Sequence, residues 1–219
     1  MSRVIAFCFL LLASVLGFLH IDSRPVWAPF ATHTAPPVEE VLEAPPTLKS
    51  KNQSAPSKAV IASPISTWLP ETGAPSVHAA SLIALNDGAV RAFWFAGSRE
   101  GTADVVINTA VFDPKESSWS APTVVMDRVS AEKGLARYIA KLGNPVPAWD
   151  TDGRLRLFFV TVSIGGWAGS SISSIVSNDE GINWERPNRL ITSPFLNLSS
   201  LVKSPAIRFA DGRLGLPSY

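Results

Sequence analysis

The chain has 219 residues, room for one or two ordinary domains with a buried core. Its 19 Lys and Arg against 18 Asp and Glu leave a formal charge of +1, so the basic stripe expected of a nucleic-acid binder is missing and nucleic acid is excluded as a partner. The single cysteine, Cys8, rules out an internal disulfide or a thiolate metal cluster, and neither a metal nor a cofactor is expected.

Residues 1–24 open with "MSRVIAFCFLLLASVLGFLHI", one Arg and then an uncharged apolar run from Val4 to Leu19. The run is long for a signal-peptide core and slightly short of the roughly 20 residues that span a bilayer. It reads as a signal peptide or an N-terminal membrane anchor. In both readings the remainder is exported, since Arg3 favours leaving the N-terminus in the cytoplasm. Residues 25–75 are rich in Pro, Ala, Ser, Thr and Glu and read as an extended tether without a core of its own. Asn52 in "NQS" and Asn197 in "NLS" fit glycosylation sequons.

From residue 76 the chain repeats. Asp87-Gly88 returns 65 residues later as Asp152-Gly153, and Trp119 with Pro122 returns at the same spacing as Trp184 with Pro187. A further Asp211-Gly212 follows after 59 residues. The first unit holds four strand-like segments, "HAASLIAL", "AVRAFWFAG", "DVVINTAVF" and "TVVMD", and the second holds "PVPAW", "RLRLFFVTV", "SSISSIVS" and "NRLIT". Residues 130–143 read as an insertion with a helical turn. Four strands per repeat describe a propeller blade, so residues 76–219 are expected to be all-β: about two blades of a β-propeller and the start of a third. The Asp-Gly pairs belong in the tight turn between the first two strands of each unit.

Within "AFWFAGSREGTADVVI" the turn between two apolar strands carries Arg99, Glu100 and Asp104. A solvated ion pair there would contribute under about 1 kcal/mol. The alternative is that the trio lines the central mouth of the propeller and meets substrate. His78, the sole histidine of the repeat region, reads as a strand-end residue bonded to backbone, as a substrate contact, or as a base. Asn144 and Lys203 stand at equivalent entries to innermost strands, where a side chain faces the channel or caps a turn. Trp167, in the Gly-rich "SIGGWAGSS", either stacks on a sugar ring or packs between blades.

"SNDEGINW", Ser177 to Trp184, resembles the Asp box of sialidases and other BNR-repeat proteins, with Asn183 in place of the usual Thr. "FDPKESSW" is a degraded version in the first unit. Together with "HAASLIALNDGAVRAFWFAGSREGTADVVI", "GNPVPAWDTDGRLRLFFV" and "KSPAIRFADGRLGLP", these motifs are similar to the sialidase-like BNR-repeat family over residues 76–219. The resemblance implies a six-bladed propeller that cleaves terminal sialic acids. Arg99 and Asp104 match that family's strand-end Arg and catalytic Asp, which implies Asp104 as general acid/base and Arg99 as an orienting cation. Val77-His78-Ala79-Ala80-Ser81 stands where the family has Phe-Arg-Ile-Pro-Ser, placing His78 at a clamp-arginine position without Arg's bidentate fork. The family's Tyr nucleophile, its Glu and two further clamp arginines belong to later blades, so this chain is expected to carry an incomplete, inactive site.

The expected function is that of a sialidase-like exo-glycosidase removing a terminal acidic sugar from extracellular glycans. Asp104, Arg99 and His78 are the catalytic candidates, and Glu100, Asn144, Trp167 and Lys203 the substrate-binding ones. Two alternatives remain: a non-catalytic carbohydrate-binding propeller, and a polysaccharide lyase in which His78 neutralises charge or abstracts a proton.

Overall fold

The computed structural model describes residues 3–19, 66–192 and 200–219. The chain divides into residues 1–47 and 48–219. In the first, α1 (Arg3–Leu19) is a 17-residue helix whose Phe7, Phe9, Leu10 and Leu11 are exposed, as is the free thiol of Cys8. Among the described residues no helix is long and apolar enough to cross a membrane. The tether as far as residue 65 and both sequons lie outside the described residues.

In the second unit, β1 (Ser76–Ala84), β2 (Val90–Gly97) and β3 (Val106–Asp113) pair antiparallel in chain order, and both β4 (Ser118–Trp119) and β5 (Thr123–Met126) pair with β3. After α2 (Arg128–Leu135), a second sheet runs in the order β6 (Lys141–Trp149), β7 (Leu155–Val162), β8 (Ser170–Ser177) and β9 (Asn188–Arg189). The hairpin of β10 (Ile207–Arg208) and β11 (Leu214–Gly215) follows. These are two consecutive propeller blades and the opening hairpin of another, the all-β partial propeller expected from the repeat.

The middle strands are buried on both faces, and side-chain alternation assigns each face a partner. From the first blade, Phe93, Phe95 and Ile107 meet Leu155, Leu157 and Phe159 of the second in one shared core. On the opposite face of the first blade, Ala92, Trp94, Ala96 and Ala110 are covered by Leu69, Ala74 and Trp119, so the end of the proline-rich stretch belongs to the folded unit. The second blade turns Phe158, Val160 and Ile172 toward Val202, Leu214 and Leu216 of the segment after it.

Each unit opens with the same hairpin. Gly88, Gly153 and Gly212 have φ of 89°, 81° and 84°, the left-handed conformation that Gly adopts without a Cβ clash. The Asp before each accepts a backbone N–H two residues on: Ala89 to Asp87 at 2.9 Å, Arg154 to Asp152 at 3.2 Å, Arg213 to Asp211 at 3.0 Å. Both complete innermost strands also carry a bulge at the same place. One lies between His78 and Ser81, with Ala79 at φ 53°, and the other between Gly143 and Val146, with Asn144 at φ 35°.

Two boundaries differ from the sequence reading. The fourth strand of the first blade is split into β4 and β5, and β6 begins at Lys141, inside the stretch read as an insertion. The helix there is real: Asp127 caps α2 by accepting from Ser130 N–H at 2.8 Å, and Ala136 closes it in a left-handed conformation.

Candidate functional site

Antiparallel pairing fixes which loops share an end. Ser76 at the start of β1 lies opposite Gly97 at the end of β2, so the β2–β3 loop sits where β1 begins. In the second blade Lys141 lies opposite Val162, which puts the β7–β8 loop at the corresponding end. The two ends meet: a Cβ on Gly101 would come within 3.4 Å of Lys141 Nζ and 3.9 Å of the Trp167 ring.

The Ser98–Asp104 loop supports itself. Ser98 donates its backbone N–H and its hydroxyl to the Asp104 carboxylate at 2.8 and 2.9 Å. Thr102 donates its N–H and hydroxyl to the Arg99 carbonyl at 3.3 and 2.6 Å, and Gly101 at φ 76° completes the reversal. The adjacent Thr102 side chain and the hydrogen bonds from the Ser98 N–H and hydroxyl hold the Asp104 pKa down at about 2. At neutral pH Asp104 is therefore a fixed acceptor. Arg99 and Glu100 are exposed, and among the described residues their side chains make no hydrogen bond or ion pair, so the local ion pair does not form.

Asp104 also borders a cavity of about 390 Å³ that runs along Thr72–Pro75. The cavity reaches Asn108, which the sequence reading passed over within the apolar run of β3. Asn108 is only 4% exposed, and its Nδ2 has no partner. A buried amide in a mostly apolar strand is the signal that marks it.

The remaining candidates are more engaged. His78 is hydrogen-bonded through Nε2 to Ser76 Oγ at 3.0 Å and stacks on Phe95 with centroids 5.5 Å apart, so its partner is a hydroxyl and not backbone. Trp167 lies under Lys141 Nζ, 4.2 Å from the ring centroid, and lies so close to Gly143 that a Cβ there would come within 2.9 Å of its ring. Both contacts are with β6 of Trp167's own blade, so the ring packs within the second blade, and Lys141 is a cation at this end that the sequence reading missed. Asn144 donates Nδ2 to the Val202 carbonyl at 2.9 Å, tying the second bulge to the next segment. Lys203, adjacent to Val202, is exposed without a side-chain partner among the described residues. Arg99, Glu100 and Asp104 share one loop, Trp167 and Lys141 adjoin that loop at Gly101, and Asn144 and Lys203 flank Val202.

The family described as BNR repeat-like domain matches residues 88–219. The chain belongs to this BNR repeat-like family. Its fold is similar to solved structures of low identity. One is the NanB sialidase from Streptococcus pneumoniae, 11% identical over 68% of this chain and 41% of that one, with TM-score 0.52. Another is the Hadza microbial sialidase Hz136, 15% identical over 64% of this chain and 32% of that one, with TM-score 0.50. This BNR-repeat chain thus spans less than half the length of either sialidase. Among curated proteins none matches its sequence.

Proposed function

We propose that the BNR-repeat unit acts on glycans as a sialidase-like exo-glycosidase, and that the residues around the Ser98–Asp104 loop form the part of its site that grips a terminal acidic sugar. The observation that carries this reading is the loop itself, which fixes the Asp104 carboxylate and leaves the Arg99 guanidinium exposed and without a partner. An unpaired guanidinium beside a positioned carboxylate suits a carboxylate-bearing sugar, with Arg99 forming the fork–fork contact. His78 and Glu100 border the ring, and Asn144, Trp167 and Lys203 extend the contact surface across the second blade end. The family membership and the fold shared with two sialidases support the choice of substrate class.

Asp104 as general acid requires a proton that it does not hold at neutral pH while bonded to the Ser98 N–H and hydroxyl. Substrate must displace those donors and desolvate the carboxylate, both of which raise its pKa toward the working range. The nucleophile and its partner would come from outside the residues described. The unit is proposed to be exported, with α1 as a signal or membrane anchor.

A non-catalytic glycan-binding role is the second reading, favoured by the depressed pKa of Asp104. Incubation of the full chain with 3′-sialyllactose separates the two. Free sialic acid that disappears in D104N supports hydrolysis, sugar retained without release supports binding by the grip residues without catalysis by this chain, and no retention of the sugar overturns the site. A product absorbing in the ultraviolet would signal a lyase and overturn both.

A further inference from the structure

A second concentration of positive charge lies on the rim of the second blade, where α2 meets β9, that blade's outermost strand. Here a cavity of about 620 Å³ is bordered by Arg137, Arg186 and Arg189 together with Leu135 and Asn188. The groove has rigid walls. Gly134 of α2 is pressed against Pro187 so closely that a Cβ would approach its ring to 2.4 Å, and Arg186 Nε donates to the Gly134 carbonyl at 2.6 Å. That bond places the Arg186 charge at the negative end of the α2 dipole, which accounts for Arg186.

It does not account for the other two. Arg137 and Arg189 have no side-chain hydrogen bond and no ion pair among the described residues, although both are half-buried. One terminal nitrogen of Arg137, Nη1, is wholly shielded from solvent without a partner. Burial and the neighbouring Arg137 charge both push the Arg189 guanidinium below its ordinary pKa. Two like charges facing each other in a partly desolvated groove, with no carboxylate among the described residues that line it, are costly unless an anion completes the arrangement.

We propose that this rim groove is an accessory binding site for the sulfate or carboxylate of an acidic sugar, held by Arg137 and Arg189 with Arg186 closing one side. The cavity is within the ordinary range for small-molecule pockets, roughly 300 to 1,000 Å³, and larger than a bare oxyanion needs. Guanidinium forks bind either group through paired N–H donors. The assignment of a sugar rests on the glycan reading above. The anion site itself rests on the unpaired guanidinium groups alone.

Isothermal titration of the full chain in detergent, at fixed ionic strength, tests it with five probes: galactose 6-sulfate, galacturonic acid, galactose, inorganic sulfate and a short oligonucleotide. The acidic sugars are expected to bind, galactose not to bind, and inorganic sulfate to bind at least about tenfold more weakly than the sulfated sugar. R137Q/R189Q should lower acidic-sugar affinity about tenfold or more, and R137K/R189K, which keeps charge and loses the forks, should fall between. The same titrations in the R99Q background, which removes the proposed active-site contact, read the rim alone: acidic-sugar binding that persists in R99Q and is lost when R137Q/R189Q is added belongs to the rim. Unchanged affinity in both double variants would overturn the site. Equal affinity for inorganic sulfate and the sugars would overturn the sugar assignment, as would tighter binding of a short oligonucleotide than of either sugar.

Discussion

Trp149 donates its indole Nε1–H to the carbonyl of Ala84, 65 residues earlier, at 2.9 Å. Arg208 then donates a guanidinium N–H to the carbonyl of Trp149, 59 residues earlier. Ala84, Trp149 and Arg208 each end the innermost strand of their unit, so one hook joins successive units at one position, made by an indole once and a guanidinium the next time. What the repeat preserves here is a long side-chain donor, not a residue type.

W149F keeps an aromatic ring, with less bulk, and removes the donor, leaving the Ala84 carbonyl without its partner. The expected loss is about 1 kcal/mol, the usual net worth of such a bond. Urea unfolding followed by tryptophan fluorescence checks it, with no change in the denaturant slope if only the hook is lost.

Gly181 is the tightest point of the Ser177–Trp184 turn. It has φ 95°, and a Cβ would sit 2.9 Å from Arg91 Nε and 3.1 Å from the Trp184 ring. G181A is expected to cost about 1–3 kcal/mol through strain and displacement of Arg91. Gly165 also has positive φ, 75°, but open space around it. G165A should therefore cost less than G181A when the two are compared by thermal unfolding.

Stability should fall in acid between about pH 4 and pH 2. The Asn183 backbone N–H and side-chain amide, with the Ser177 hydroxyl, hold Asp179 at about 2, against 3.8 for a free side chain. A pKa lower in the folded state means that the unfolded state binds the proton more tightly. This contribution is present in full above the unfolded value and is lost as pH falls through the folded one. Asp104 adds a second contribution of the same sign and window. D179N is expected to lower the midpoint temperature near pH 6 and to flatten its fall toward pH 2.

S98A removes one of the two Ser98 donors that depress Asp104 and leaves the backbone N–H in place. The Asp104 pKa should rise toward the ordinary carboxylate value, read directly by NMR titration of the side-chain carboxyl carbon. If Asp104 is the general acid, the basic limb of the pH–rate profile should move upward with it.

Much of this architecture is legible in the chain because its signals are local. Asp87-Gly88, Asp152-Gly153 and Asp211-Gly212 each build a hairpin from adjacent residues, and their spacing carries the blade period. Contacts between blades are not local, and there the sequence is silent. Nothing near Arg91 announces that it will lie against Gly181 of the next blade, and nothing near Asn144 announces its bond to Val202. Arg137 and Arg189 belong to different elements, so their convergence follows from how α2 packs on β9. Arg99, Glu100 and Asp104 were visible as a group, yet the separation of roles, with Asp104 bonded and Arg99 unpartnered, depends on loop geometry that spacing does not encode.

The most direct test of the proposed site is the affinity of the full chain for 3′-sialyllactose compared with that of R99Q, measured by isothermal titration. If the exposed Arg99 guanidinium grips the acidic sugar, the substitution should weaken binding at least about tenfold while lactose binds neither protein, as expected for loss of a charge-assisted contact. Equal affinity of the two proteins for 3′-sialyllactose, or binding of lactose as tight as that of the acidic sugar, would contradict the account.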